Sequence, residues 1–176
     1  MNMKEAVVLI GHGGSPADIP RGIVAELKRL EGERQARRIP DMSPREAELD
    51  KQVRDWPRTP ATDPYKYGVE EIAAALAPKL GGRRLVTAYN EFCAPSVEAA
   101  IESLVKEGFG RILLISTMFT RGGIHAEYEI PGIVLETRKK HPGVTVEYAW
   151  PFDAGCIADF LANQLARTTA AGAPKA

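Results

Sequence analysis

Hydrophobic residues fall along this chain in two alternating kinds of pattern. Ala6 to Ile10 is an unbroken aliphatic run, too short for a helix and closed by Gly11, as expected of a strand buried on both faces. After Pro20, Ile23, Leu27 and Leu30 recur at helical spacing, with Pro20 suited to a helix start. Val69, Ile72, Ala73, Leu76 and Leu80 repeat the helical pattern from near Tyr67 until Gly81-Gly82 stops it, and Leu85 to Tyr89 reads as a second strand. Pro95-Ser96 opens a third helix with Val97, Ala100, Ile101, Leu104 and Val105 on one face, followed by a strand over Arg111 to Ser116. A fourth helix spans about Tyr128 to Lys140, its first turn set near Ile130 by Pro131 and its end marked by Lys139, Lys140 and His141. Val144, Val146, Tyr148 and Trp150 then alternate with polar or small residues, the pattern of a strand with one buried face. Ile157, Phe160, Leu161 and Leu165 give a last helix, and the small, polar residues from Thr168 onward read as a frayed tail.

Residues 31–66 interrupt this alternation, since no strand separates the first helix from the one near Tyr67. Within them Ser43-Pro-Arg-Glu46 matches a capping box, and Leu49, Val53 and Trp56 line one helical face before Pro57, Pro60 and Pro64. Such a helix needs something to cover, either its own domain or, as a lid or contact, the cleft or a second subunit. The first and third strands are the most uniformly apolar and so belong in the centre of a parallel α/β sheet of order 2-1-3-4 with helices on both faces. That order reverses its winding between strands one and three, where a ligand crevice opens at the carboxyl ends. The chain thus reads as a single domain over 1–168, a helical insertion at 31–66 and a flexible tail at 169–176.

Composition changes little in this picture but excludes much. The 176 residues carry 23 basic and 23 acidic side chains, so net charge gives no case for nucleic acid or an anionic membrane. The first residues lack a secretory apolar region and no stretch approaches a membrane span, which points to the cytoplasm. Cys93 and Cys156 have no metal-binding spacing and read as reduced, mostly buried thiols.

The chemistry gathers at the crevice. His12 lies in Gly11-His-Gly-Gly-Ser15 after the first strand and His125 in Gly122-Gly-Ile-His125 after the third, so the sheet order brings two of the three histidines to one edge. Tyr89-Asn90-Glu91 joins the same rim from strand two. Gly13 and Gly14 admit close backbone approach and can offer amide donors, Ser15 adds a hydroxyl, and Arg121 beside Gly122 and Gly123 can hold a carboxylate. Glu91 reads equally as a functional carboxylate or a solvated rim group, Arg121 equally as a loop cap, and His141 as a helix-end group. The charged run from Glu127 to Lys140 reads as a solvated helix face. Two imidazoles and a carboxylate suit a borderline divalent metal such as Fe, Co, Ni or Zn, and the imidazoles can equally accept protons. His-Gly-Gly also occurs in esterase oxyanion loops, but the chain has no G-x-S-x-G elbow, and it lacks both the P-loop and the dinucleotide fingerprint.

Val8-Leu-Ile-Gly-His-Gly-Gly-Ser15, Tyr89-Asn-Glu-Phe-Cys-Ala-Pro-Ser96 and Gly122-Gly-Ile-His125 followed by Glu129-Ile-Pro131, with His141-Pro-Gly-Val144, together resemble the small sirohydrochlorin chelatases of the CbiX type. The likeness covers about residues 5–30 and 67–165. It implies a three-layer, flavodoxin-like chelatase domain and a class II, ATP-independent lyase that inserts Co²⁺ or Fe²⁺, in some relatives Ni²⁺, into sirohydrochlorin on the way to cobalamin or siroheme. By the resemblance His12 and His125 are the active-site histidines that present the metal and remove pyrrole protons, and Glu91 is the strand-two glutamate that steers the cation or relays protons. Gly13, Gly14, Ser15, Arg121, Gly122 and Gly123 would contact the carboxylate-rich macrocycle. No cofactor beyond the divalent metal substrate is implied, and the partner is a second copy of the chain in a homodimer. The chain departs from the short pattern in its insertion at 31–66 and in Ala94. The competing reading is a non-catalytic tetrapyrrole or metal-ion carrier.

Overall fold

The structure is a computed structural model that describes residues 3–170; the expected flexible tail falls, from residue 171 onward, outside the described residues. Four parallel strands, β1 (Glu5–Gly11), β2 (Arg84–Tyr89), β3 (Arg111–Ser116) and β4 (Thr145–Tyr148), pair in the order β2-β1-β3-β4. The helices are α1 (Arg21–Ala36), α2 (Pro44–Arg54), α3 (Pro64–Leu76), α4 (Val97–Lys106), α5 (Ile130–Lys140) and α6 (Ala154–Ala170). This is the expected chelatase-like α/β arrangement.

One sheet face carries the main core. Ala6, Val8 and Ile10 of β1, Ala88 of β2, Ile112 and Leu114 of β3 and Val146 of β4 project into it and meet Val97, Ala100, Ile101 and Leu104 of α4 and Ile130 and Val134 of α5. Each fully buried aliphatic side chain there contributes about 1.5–3 kcal/mol relative to exposure. On the other face α3 lays Val69 against Leu9 and Tyr89. β1 is therefore covered on both sides, as its unbroken run predicts. β3 is not: Ile112 and Leu114 are buried, whereas Leu113 and Ile115 are only half-buried. Its aliphatic composition reflects a central place in the strand order rather than two covered faces.

The insertion changes the first crossover. α1 packs its Leu27 against Leu49 and Val53 of α2 together with Ile19 and Phe92, forming a second small core, while α3 takes the place on the sheet that a first helix would fill. α1 runs on through residue 36 and α3 starts at Pro64 behind an Asp63 cap, so both ends of the insertion belong to regular helices. Ser43 caps α2 by accepting from the Glu46 amide. The reciprocal half of the capping box is missing, because the buried Glu46 carboxylate is held instead by Arg34 at 2.7 Å. The π-helical turn His125–Glu129 leads directly into α5, so the helical path begins three residues before the Tyr128 expected from sequence. α6 forms as expected but stays largely uncovered, with Phe160 57%, Leu161 48% and Leu165 69% exposed. Cys93 is buried, but Cys156, on α6, is exposed, contrary to the expectation of two buried thiols.

Candidate functional site

The carboxyl edge of the sheet is stitched together before any side chain is considered. The amides of Asn90 and Glu91 donate to the carbonyls of Gly11 and His12 at 3.0 and 2.8 Å, and the Thr117 amide donates to Ile10. These bonds extend the β2-β1-β3 ladder into the loops and tie together the segments carrying His12, Glu91 and Thr117. Gly13 has a positive φ of 94°, and a Cβ there would lie 1.9 Å from the Glu91 carbonyl oxygen. Its role in this structure is to let the two loops touch.

On that base, three functional groups converge. His12, Glu91 and His125 are each half-buried and offer ligand atoms that all lie within 4.8 Å of one another. The imidazole rings meet edge to face at a centroid distance of 4.7 Å, and His125 Nε2 stands 3.5 Å from a Glu91 carboxylate oxygen. His12 Nδ1 lies 2.8 Å from the Gly13 carbonyl, which makes Nδ1 the protonated nitrogen and leaves Nε2 as a free electron pair. His125 Nδ1 lies 2.7 Å from Glu129 Oε2, one turn along the helix, and 2.7 Å from Asn90 Nδ2, and its Nε2 is turned toward Glu91. The Glu129 carboxylate also accepts from Asn90 Nδ2 at 2.6 Å. Burial opposes its ionisation, but the bonds from His125 and Asn90 outweigh burial and hold the carboxyl below its ordinary value. A carboxylate behind an imidazole fixes the tautomer and strengthens the opposite nitrogen as a ligand or base.

Arginines of the insertion hold this edge from outside. Arg58, almost fully buried, donates to the Gly14 carbonyl at 2.8 Å and the Val53 carbonyl at 3.0 Å, and also bonds the Phe92 carbonyl and the Asp63 carboxylate. It grips the His12 loop and the Glu91 loop at once. Arg54 donates at 3.0 Å to the carbonyls of both Asn90 and Cys93 and is paired with Asp50. Phe92, held in the left-handed region at φ 57°, fills the second core with its ring while its carbonyl faces Arg58. The His12 amide donates to the Tyr65 hydroxyl at 2.8 Å.

Not every residue expected at the site arrives there. Gly14 turns its carbonyl to Arg58, Ser15 is exposed beside a separate shallow depression near Ile19 and Arg21, and Arg121, Gly122 and Gly123 are exposed outside the site cavity. Glu127, on the run read as a solvated face, accepts from the Gly122 amide and so closes that loop. Glu129, on the same run, is the residue that sequence reading missed, although its spacing of four from His125 was the available signal. Arg54, Arg58 and Tyr65 gave no such signal, because nothing local in the sequence indicates which carbonyls a distant arginine will meet. His141 ends α5 with Nε2 2.9 Å from Glu102 and lies outside the site.

Beside the three groups opens a cavity of about 670 Å³, bounded by α1 and α2 on one side and by Asn90, Glu91, Ile124, Glu129 and Ile133 on the other. The family model that matches this chain is CbiX, over residues 61–168. The chain belongs to the CbiX family. The match takes in Glu91, His125 and Glu129 and leaves His12 and most of the insertion outside it. Among solved structures, SirB from Bacillus subtilis with Fe³⁺ is similar at 16% identity over 83% of this chain and 39% of that one, with a TM-score of 0.44. The sirohydrochlorin chelatase SirB from Bacillus subtilis subspecies spizizenii in complex with cobalt shares 18% identity over 85% of this chain and 44% of that one, TM-score 0.43. A cobalamin (vitamin B12) biosynthesis CbiX protein from Marinobacter aquaeolei VT8 shares 15% identity over 94% of this chain and 98% of that one, TM-score 0.48. The chain thus spans only about two fifths of the length of the two SirB chains. No curated protein sequence matches it.

Proposed function

We propose that this CbiX-family protein inserts a divalent metal ion into sirohydrochlorin without ATP. The observation that carries the proposal is the convergence of two imidazole nitrogens and one carboxylate within 4.8 Å at the carboxyl edge of the sheet. A donor set of two nitrogens and an oxygen holds borderline cations in preference to Mg²⁺ or Ca²⁺, and it suits Co²⁺ and Fe²⁺, with Ni²⁺ as a further substrate. Insertion of M²⁺ into the free macrocycle must release two pyrrole protons. In this reading His12 and His125 first hold the cation through Nε2 and then take up those protons as the metal moves to the macrocyclic nitrogens. Glu91 keeps the cation between the rings, and Glu129 stabilises the imidazolium that forms at His125. No cofactor beyond the metal substrate is needed, and the product feeds cobalamin or siroheme formation.

We further propose that the protein acts as a cytoplasmic homodimer. No helix among the described residues is long and apolar enough to cross a membrane, and both thiols are free, which agrees with a reducing compartment. The apolar stripe of α6 supports self-association, because contiguous exposed apolar surface of this kind usually meets a partner. Light scattering tests this arm: a mass of two chains is expected, and Phe160→Asp together with Leu161→Asp should yield one.

Anaerobic incubation of the purified protein with sirohydrochlorin and Co²⁺, Fe²⁺ or Ni²⁺, followed by the change in macrocycle absorbance, tests the activity. Acceleration over the uncatalysed rate with at least one metal is expected. Tight binding of the macrocycle or metal without acceleration would identify a carrier instead.

A further inference from the structure

The cavity that Glu91 and Glu129 line carries both acidic and basic side chains. Leu27, Glu31 and Arg34 of α1, and Arg38 just beyond its end, line it. Glu31 lines the cavity together with Glu91 and Glu129, and burial, followed by the charge of Glu91, pushes its carboxyl up. Seven residues further along the chain, two past the end of α1, stands Arg38. Two of the three guanidiniums that line the cavity are committed. Arg34 is taken by buried Glu46, and Arg54 by Asp50 and two backbone carbonyls. Arg38 has no side-chain hydrogen bond or ion pair among the described residues, and its guanidinium is available.

The backbone beneath Arg38 makes its presence more pointed. The Ile39 amide donates to the Arg34 carbonyl and the Arg38 amide to the Gln35 carbonyl, the two bonds of a Schellman turn at the end of α1. Such a turn places one residue in the left-handed region, where glycine is strongly favoured; here Arg38 occupies it with φ 53°. Arg38 thus keeps a long cationic side chain at a position whose backbone favours glycine. Ile39 and Met42 beyond α1, and Ile124 on the opposite side, line the cavity while remaining 46%, 45% and 55% exposed, apolar surface suited to a flat ring.

We infer that this cavity seats the carboxylate-bearing rim of the macrocycle, with Arg38 as the side chain that binds a peripheral carboxylate. The inference rests on the chelatase reading and adds a recognition site contributed by the insertion. The geometry is that of a ligand whose metal-accepting centre faces the His12–Glu91–His125 group while an acidic substituent reaches Arg38. Arg38 touches a part of the substrate that does not react, so its contribution is equal in ground and transition states and appears in KM rather than kcat.

The test measures the Kd of metal-free sirohydrochlorin by absorbance titration, together with KM, kcat, thermal midpoint and mass, for the wild type and for Arg38→Gly, Arg38→Gln and Arg38→Lys. Loss of one charge-assisted hydrogen bond to a carboxylate should raise Kd and KM about tenfold in the Gly and Gln variants. Their kcat should stay within about twofold of wild type, and the Lys variant should keep most of the affinity at low salt. Arg38→Gly removes the backbone conflict and should melt at or above the wild-type temperature, which separates lost recognition from lost folding. Kd and KM within about twofold of wild type in both the Gly and Gln variants would overturn the inference while leaving the chelatase reading standing. A change in mass without a change in Kd would overturn it too, by assigning Arg38 to a subunit contact. A wild-type protein that binds no sirohydrochlorin would overturn both readings together.

Discussion

His125 and His141 each face a glutamate at hydrogen-bond distance, 2.7 Å to Glu129 and 2.9 Å to Glu102, and both lie on the same helical segment. They use the imidazole in opposite ways. His125 has Nδ1 at its glutamate, and its Nε2 is turned toward Glu91, beside the ring of His12. His141 commits Nε2 to Glu102, which is shared with Lys140, and thereby clasps the end of α5 to α4. A carboxylate beside a histidine therefore says little by itself. What separates a reactive imidazole from a structural one is the nitrogen left over and whether other donors meet it there.

The comparison breaks most readily at the histidines themselves. His12→Ala or His125→Ala should each lower kcat/KM for metallation by 100-fold or more, the usual range for loss of a positioned acid–base group, with little change in thermal midpoint. Circular dichroism melts beside the rate assay check both halves of that statement. Glu129→Gln should cost about tenfold in metal affinity or rate, because the group that fixes His125 loses its charge while keeping its shape; titration with Co²⁺ reads it directly. His141→Ala should leave kcat/KM within about twofold of wild type, and a larger loss would mean that the clasp on α4 matters to the site.

The smallest effect is one of pH. Lys140 first, and then His141, hold the Glu102 carboxyl down to about 2, against an ordinary value of 4.5. A carboxyl lowered on folding stabilises the native state above its unfolded value, and that contribution is lost as pH falls toward the folded value. Glu102→Gln should thus melt slightly below wild type at neutral pH, and the gap should close as pH falls from 4.5 toward about 2. Differential scanning calorimetry along that pH series checks it; a gap that widened with acid would show that the clasp does not act through ionised Glu102.

Strand order and the meeting of His12, Glu91 and His125 were legible because each rests on a local pattern, a hydrophobic run closed by glycines, joined by one topological rule. The roles of the neighbouring residues were less so. Gly13 and Gly14 read as ligand-facing amides, yet one is there for loop contact and the other turns its carbonyl to Arg58. Ser15 and Arg121 share the right sequence neighbourhood but end on exposed surface. Arg58 crosses 34 residues to reach Phe92 and 44 to reach Gly14, and contacts of that range are set by tertiary packing. The stripes of α2 and α6 make the same point. Both promise a helix that must cover something, but Leu49 and Val53 are only 1% and 0% exposed whereas Phe160 and Leu161 remain 57% and 48% exposed. Periodicity gives a face, and only the fold says whether that face meets its own chain.

The most direct test of the account is the initial rate of anaerobic sirohydrochlorin metallation by wild type and by the paired His12→Ala, His125→Ala variant, with His141→Ala as the matched control. If two free Nε2 atoms at the sheet edge hold the metal and accept the pyrrole protons, wild type and the His141 variant should run together well above the uncatalysed rate. The paired variant, folded as shown by its melting curve, should fall to that background. A paired variant that metallates as fast as wild type would contradict the account at its centre.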